Sequence, residues 1–165
     1  MALRSKNFLF KRKGKDGTWR EYPDSDTWYE TNYDYHWNEK SLPLAAGGYY
    51  GSTTGLSTIS FTLRNFVGRI IVQATLASNP EESDWFDIRF TQCCEYYMQF
   101  TDTRILNPTT GATILDPGTT GTFAETVTGN FTYLRVVIDR NYISTDPTQT
   151  QKRYAGKLEE VLINF

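Results

Sequence analysis

The feature that most constrains this chain is a series of short alternating runs, separated by turn residues, that begins after Gly47-Gly48 and continues to the C-terminus. In STISFTLRNF, residues 57–66, Ile59, Phe61 and Leu63 share one face, and Ser60, Thr62 and Arg64 share the other. A period of two marks a strand with one dry and one wet side. RIIVQATLA at 69–77 repeats the pattern with Ile70, Val72, Ala74 and Leu76. Only Gly68 and its neighbours separate the two runs, so they are expected to pair as a hairpin.

SNPEES at 78–83 reads as a polar turn, and WFDIRF at 85–90 as a third strand. EYYMQF at 95–100 is a fourth, with Tyr96, Met98 and Phe100 on one side. NPTTGATILDPGTTGT at 107–122 reads as two turns around the short piece ATIL. FTYLRVVID at 131–139 turns Leu134, Val136 and Ile138 inward, and LEEVLINF at 158–165 supplies the last strand. No stretch of ordinary helix length carries helical spacing.

Short alternating strands at this density define an all-β chain. The expected architecture is an antiparallel β-sandwich, jelly-roll-like or Ig-like, of about seven or eight strands whose apolar faces bury each other. It spans residues 49–165 and is preceded by an extended, aromatic-rich N-terminal arm, residues 1–48. A length of 165 residues suits one domain.

The arm departs from the rest in charge and in rings. Residues 1–20 carry Arg4, Lys6, Lys11, Arg12, Lys13, Lys15 and Arg20 against Asp16. Residues 21–40 carry Glu21, Asp24, Asp26, Glu30, Asp34 and Glu39 against Lys40. Within WYETNYDYHW, residues 28–37, lie Trp28, Tyr29, Tyr33, Tyr35 and Trp37, and Trp19, Trp28 and Trp37 recur at a spacing of nine. That spacing fits neither a helix face nor a strand face. Apart from one short strand at NFLFK, the arm is expected to be irregular. Rings at this density must be sheltered, either on the chain's own sandwich or on a neighbouring subunit, at roughly 2 kcal/mol for each ring buried. Trp, Tyr and Arg dominate interface hot spots. The expected interaction residues are therefore Lys11, Arg12, Lys13, Lys15, Trp19, Trp28, Tyr29, Tyr33, Tyr35 and Trp37. The KRKGK cluster suits an acidic surface or the acidic half of another copy's arm.

Catalytic chemistry is not expected. His36 is the only histidine. Glu81, Glu82, Asp84 and Asp87 could form an acid/base pair, but a polar turn explains them as well. Asp24, Asp26 and Glu30 lack the glycine of a calcium loop. Cys93 and Cys94 are adjacent and read as two reduced thiols. No metal and no cofactor is expected. The net charge of -2 and the shortness of the basic cluster argue against nucleic acid. No apolar run spans a membrane and the N-terminus does not read as a secretory signal, so no membrane partner is expected.

Three segments carry a family likeness. Gly68, Ile70, Gln73 and Ala74 in GRIIVQATLA, then Trp85-Phe86-Asp87, then Gly129-Asn130-Phe131 with Leu134 and Arg135, follow one pattern. It reads Gly-x-Ile-x-Ile-Gln-Ala, Trp-Phe-Asp, and Gly-Asn-Phe-x-x-(Leu/Ile)-Arg, with Val72 replacing the second Ile. This resembles β-sandwich modules in virion structural proteins of tailed bacteriophages, most of all T4-like phages of marine cyanobacteria. The resemblance covers about a quarter of the chain. It implies a non-enzymatic virion component assembled in the host cytoplasm, in many copies of a symmetric particle, with other virion proteins as partners. Its place would be the tail, neck, baseplate or fibre-attachment region, with capsid decoration as one alternative. A carbohydrate-binding module for host-surface glycan is the other.

Overall fold

The computed structural model describes residues 5–13, 19–22, 37–51, 55–92, 95–100, 105–106, 113–114, 118–148 and 155–164. These residues form strands, turns and a single 3-10 turn at Glu82–Asp84. Among them are two antiparallel sheets packed face to face as a β-sandwich. The first sheet is ordered β1 (Ser5–Asn7), β14 (Lys157–Asn164), β6 (Leu56–Phe66), β12 (Thr119–Thr128). The second is built on β13 (Tyr133–Asp139) and β7 (Gly68–Thr75). There β4 (Glu39–Lys40) and β5 (Leu44–Ala45) flank β13, while β8 (Phe86–Asp87) and β9 (Met98–Phe100) flank β7. Two small ribbons are hydrogen-bonded only within themselves among the described strands: β2 (Phe10–Lys13) with β3 (Trp19–Tyr22), and β10 (Ile105–Leu106) with β11 (Thr113–Ile114).

The alternation in the sequence fixes which side chains meet between the sheets. Ile59, Phe61 and Leu63 of β6 and Val161 and Ile163 of β14 face Ile70, Val72 and Ala74 of β7 and Leu134, Val136 and Ile138 of β13 in one core. Each such side chain contributes roughly 2 kcal/mol on leaving water.

The first two long strands do not form the expected hairpin. β6 lies in one sheet and β7 in the other, so the chain turns a corner between layers. Asn65 adopts a left-handed φ of 50°, after which Phe66 and Val67 are both buried and the alternation breaks. Gly68 follows at φ 145°, where a Cβ would sit 3.0 Å from the Arg140 side chain. Stacking the two strands lets their apolar faces cover each other, which pairing within one sheet would not.

β12 was not expected as a strand. Its ten residues bury only Val127, so it carries almost no apolar alternation. Its place comes from pairing with β6, Thr122 opposite Thr62 and Phe123 opposite Phe61. The third and fourth expected strands shrink to β8 and β9, although Ile88 and Phe90 between them are core residues. Cys93, Cys94 and Phe165 lie outside the described residues.

The aromatic-rich leader enters the sandwich at two places. Phe8 and Phe10 are core residues. The Phe8 amide donates to the Val161 carbonyl of β14 at 2.9 Å, and the Leu42 amide donates to the Leu9 carbonyl at 2.7 Å. Phe10 also bridges Ser41, whose amide reaches the Val136 carbonyl of β13 at 2.8 Å. Residues 8–10 therefore join the two sheets along one side. On the opposite side Phe90 bridges Val127, and the Thr91 amide donates to the Thr126 carbonyl at 2.8 Å. The result is a sandwich laced shut along both flanks.

Candidate interaction surface

The residues expected to interact divide among three settings. Lys11, Arg12 and Lys13 lie on β2, with Trp19 on β3 opposite Lys13. This ribbon pairs with neither main sheet; its strands hydrogen-bond to each other, and the bridge from Phe10 to Ser41 ties its base to the body. Lys15, Trp28, Tyr29, Tyr33 and Tyr35 lie outside the described residues, as do His36 and the Asp24, Asp26, Glu30 group.

Trp37 is buried against its own chain. Its Nε1 donates to the Ser144 carbonyl at 3.0 Å, and its ring lies 5.8 Å from the Arg140 guanidinium. Arg140 is itself almost fully enclosed. It donates to the carbonyls of Val67 at 2.6 Å, Trp37 at 3.2 Å, Ala155 at 2.9 Å and Gly156 at 3.2 Å, beneath the Phe66 ring at 4.7 Å. A guanidinium suits this place because its planar fork presents several donors at fixed angles. It fastens the leader, the sheet-to-sheet corner and the connection into β14 at one point.

Four residues of the family-like pattern, Gln73, Trp85, Asp87 and Arg135, meet on the outer face of the second sheet, while its Ile70, Ala74 and Leu134 are core residues. Gln73 on β7 stands directly opposite Arg135 on β13. Arg135 Nε donates to Gln73 Oε1 at 2.7 Å, and Gln73 Nε2 donates to Asp87 Oδ1 at 2.8 Å. The two terminal nitrogens of Arg135 hold both oxygens of Glu82, at 3.0 and 2.8 Å. The guanidinium lies 4.4 Å from the Trp85 ring, and Lys40 of β4 reaches Glu82 Oε1 at 2.6 Å. Hydrogen bonding to Arg135 and then to Lys40 lowers the Glu82 carboxyl to about 2. Asp84 Oδ2 accepts from the Glu81 amide at 2.7 Å. Of the four carboxylates that could have formed an acid/base pair, Glu82 and Asp87 fasten the 78–88 segment to the sheet, and Asp84 bonds within that segment. Among the described residues no three His, Cys, Asp or Glu side chains are grouped to hold a metal ion, and no helix is long and apolar enough to cross a membrane.

Among the described residues, several exposed rings were not among those expected to interact. At the end of the sandwich where β5 and β7 finish, Tyr49, Tyr50, Leu76 and Phe86 are 56%, 51%, 66% and 43% accessible. They belong to one neighbourhood. Tyr49 meets Tyr50 edge-on at 5.2 Å and Tyr133 at a tilt at 5.5 Å, and Phe86 meets Phe131 edge-on at 6.0 Å. The Gly48 amide donates to the Phe131 carbonyl, and the Thr132 hydroxyl to the Leu76 carbonyl. Lys6 lies 4.5 Å from the centre of the Tyr50 ring and donates to its hydroxyl. The one available signal was the pair Tyr49-Tyr50 directly after Gly47-Gly48, where a turn lifts both rings away from the sheet.

Fold and surface together define an all-β sandwich with a self-contained polar clasp on one face and an exposed ring of aromatics at one end. No protein-family model, curated protein or solved structure matches the chain.

Proposed function

We propose that the chain is a non-enzymatic structural subunit of a tailed-phage virion, docking onto neighbouring subunits in the tail, neck, baseplate or fibre-attachment region. One observation carries this reading. The residues that prompted the virion resemblance, Gln73, Trp85, Asp87 and Arg135, come from three separate segments and meet in one clasp. The pattern is thus a means of building a rigid body.

Two features supply docking elements. Lys11, Arg12, Lys13 and Trp19 lie on the β2–β3 ribbon, whose strands, among the described residues, pair with each other and with neither main sheet. A lone two-stranded ribbon is marginal in water, so a partner surface would stabilise it. The exposed end around Tyr49, Tyr50, Leu76 and Phe86 supplies aromatic area of the kind that interfaces concentrate. Many copies in a symmetric particle multiply weak contacts of this kind. Mass spectrometry of purified particles tests the reading: peptides from this chain are expected in the mature virion, and their absence ends it. A particle reconstruction separates a tail position from capsid decoration.

The exposure of Tyr49 and Tyr50 favours one second reading, a stacking platform for host-surface glycan. Glycan-array binding lost on Tyr49→Ala and Tyr50→Ala would support it.

A further inference from the structure

The outer face of the second sheet carries two arginines built in the same way. Side chains alternate along a strand, so Arg69 and Gln73 of β7 share that face, as do Arg135 and Asp139 of β13. Arg135 donates from Nε to Gln73 Oε1 at 2.7 Å and lies 4.4 Å from the Trp85 ring. Arg69 donates from Nε to Gln99 Oε1 of β9 at 2.9 Å, and its guanidinium lies 4.3 and 4.4 Å from the centres of the Tyr97 and Tyr142 rings. In each case the glutamine is the cross-strand neighbour. Glutamine and ring together fix the plane of the guanidinium and preset its two terminal nitrogens as a fork.

The two differ at the fork. The chain gives Arg135 both oxygens of Glu82. It gives Arg69 no counterpart: among the described residues no carboxylate forms an ion pair with Arg69, and no acceptor is bonded to its terminal nitrogens. Asp139, directly opposite on β13, instead accepts from the Asn141 amide through Oδ1 at 2.9 Å. Arg69, Tyr97 and Tyr142 are half-buried whereas Arg135 is buried, so the Arg69 fork is within reach of a second molecule.

We propose that Arg69 is a docking site for a carboxylate, the acidic side chain of a partner protein, held as Arg135 holds Glu82. A guanidinium fork and a carboxylate match in shape and charge through two parallel hydrogen bonds. A single positive charge with Asp139 opposite it suits a monoanion better than a phosphate dianion. The site does not depend on the virion reading.

Proton–nitrogen NMR of the full chain tests it by following the Arg69 Nε–H signal as sodium acetate or sodium chloride is added at matched ionic strength. Acetate is expected to move the signal to saturation, and chloride is not. N-acetyl-glutamate amide, the side-chain carboxylate of a polypeptide, is expected to act as acetate does. Arg69→Lys keeps the charge and loses the fork, so acetate should leave the Gln99 and Tyr97 signals of that variant unmoved. Glu82→Ala frees the other fork, and the Arg135 Nε–H should then respond to acetate as it does not in the wild type. The absence of a saturable acetate response at Arg69 overturns the proposal, whatever Arg135 does. So does an equal response to chloride, a larger one to inorganic phosphate, or one that survives Arg69→Lys. A response to acetate without one to N-acetyl-glutamate amide would make the ligand a free small acid and overturn the partner protein.

Discussion

Arg135 grips both oxygens of Glu82 across 53 residues of sequence, and the two partners sit in different surroundings. The Arg135 side chain is 8% exposed and that of Glu82 is 67% exposed. The arginine is the fixed half, held by Gln73 and the Trp85 ring, and the glutamate is drawn to it from solvent. The pair therefore anchors the 78–88 segment to the sheet more than it stabilises the core.

Acid should expose that role. The Glu82 carboxyl is held at about 2 in the folded chain, below its ordinary value of 4.5. A depressed carboxyl stabilises the fold fully above the unfolded value, and that contribution falls away as the pH drops from there towards about 2. At neutral pH, Glu82→Gln should lose about 1 kcal/mol, a modest figure because the carboxylate is exposed and screened by salt. The gap between wild type and variant in urea denaturation should close as the pH is lowered through that window. A gap that stays constant to pH 2 would contradict the assignment.

Removing the buried guanidinium should be far more damaging. Arg140→Ala leaves the carbonyls of Val67, Trp37, Ala155 and Gly156 without this donor and opens space under Phe66 and Trp37. Loss of about 3 kcal/mol or more is expected. Arg140→Lys should rescue little, since an ammonium cannot present the same fork of donors. Thermal unfolding checks both variants.

A tight backbone approach supplies a third test. Gly156 has φ 66°, and a Cβ there would lie 1.9 Å from the Asn65 carbonyl oxygen, at the corner where β6 leaves its sheet. Gly156→Ala must move backbone rather than a side-chain tip. It should lower the melting temperature by several degrees, equivalent to about 2 kcal/mol. Gly51→Ala has a similar φ of 72° but nothing within 4 Å, so it should cost only about 1 kcal/mol.

The leader offers a fourth. Phe8 and Phe10 are 1% and 2% exposed within the core. Deletion of residues 1–40 removes both, together with β1, β4 and Trp37. At about 3 kcal/mol or more for each lost phenylalanine, the truncated chain should not hold its fold. Docking through the ribbon is better tested by Lys11→Glu with Lys13→Glu, which should leave the melting temperature within a degree or two and reduce incorporation into particles. Unchanged incorporation would remove the ribbon from the proposed contacts.

Strand identity was legible wherever one face is dry. β6, β7, β13 and β14 follow from Ile59-x-Phe61-x-Leu63, Ile70-x-Val72-x-Ala74, Leu134-x-Val136-x-Ile138 and the apolar residues of the last run. β12 was invisible because its partners, more than its own side chains, make it a strand. The clasp was half visible: Gln73, Trp85, Asp87 and Arg135 stood out as a pattern, but nothing in their spacing said that they touch. Tyr49 and Tyr50 were passed over in favour of the denser rings before them, of which Trp37 is turned inward.

The sequence by itself determined that the chain is β, and which side of each clear strand is apolar, because a period of two is a local property that one strand carries alone. Only the tertiary structure decided that β6 and β7 belong to different sheets, that Phe8 and Phe10 are core, and that Arg135 closes on Glu82. Those are pairings between distant segments. They are set by which apolar faces bury one another, and no single segment holds that information.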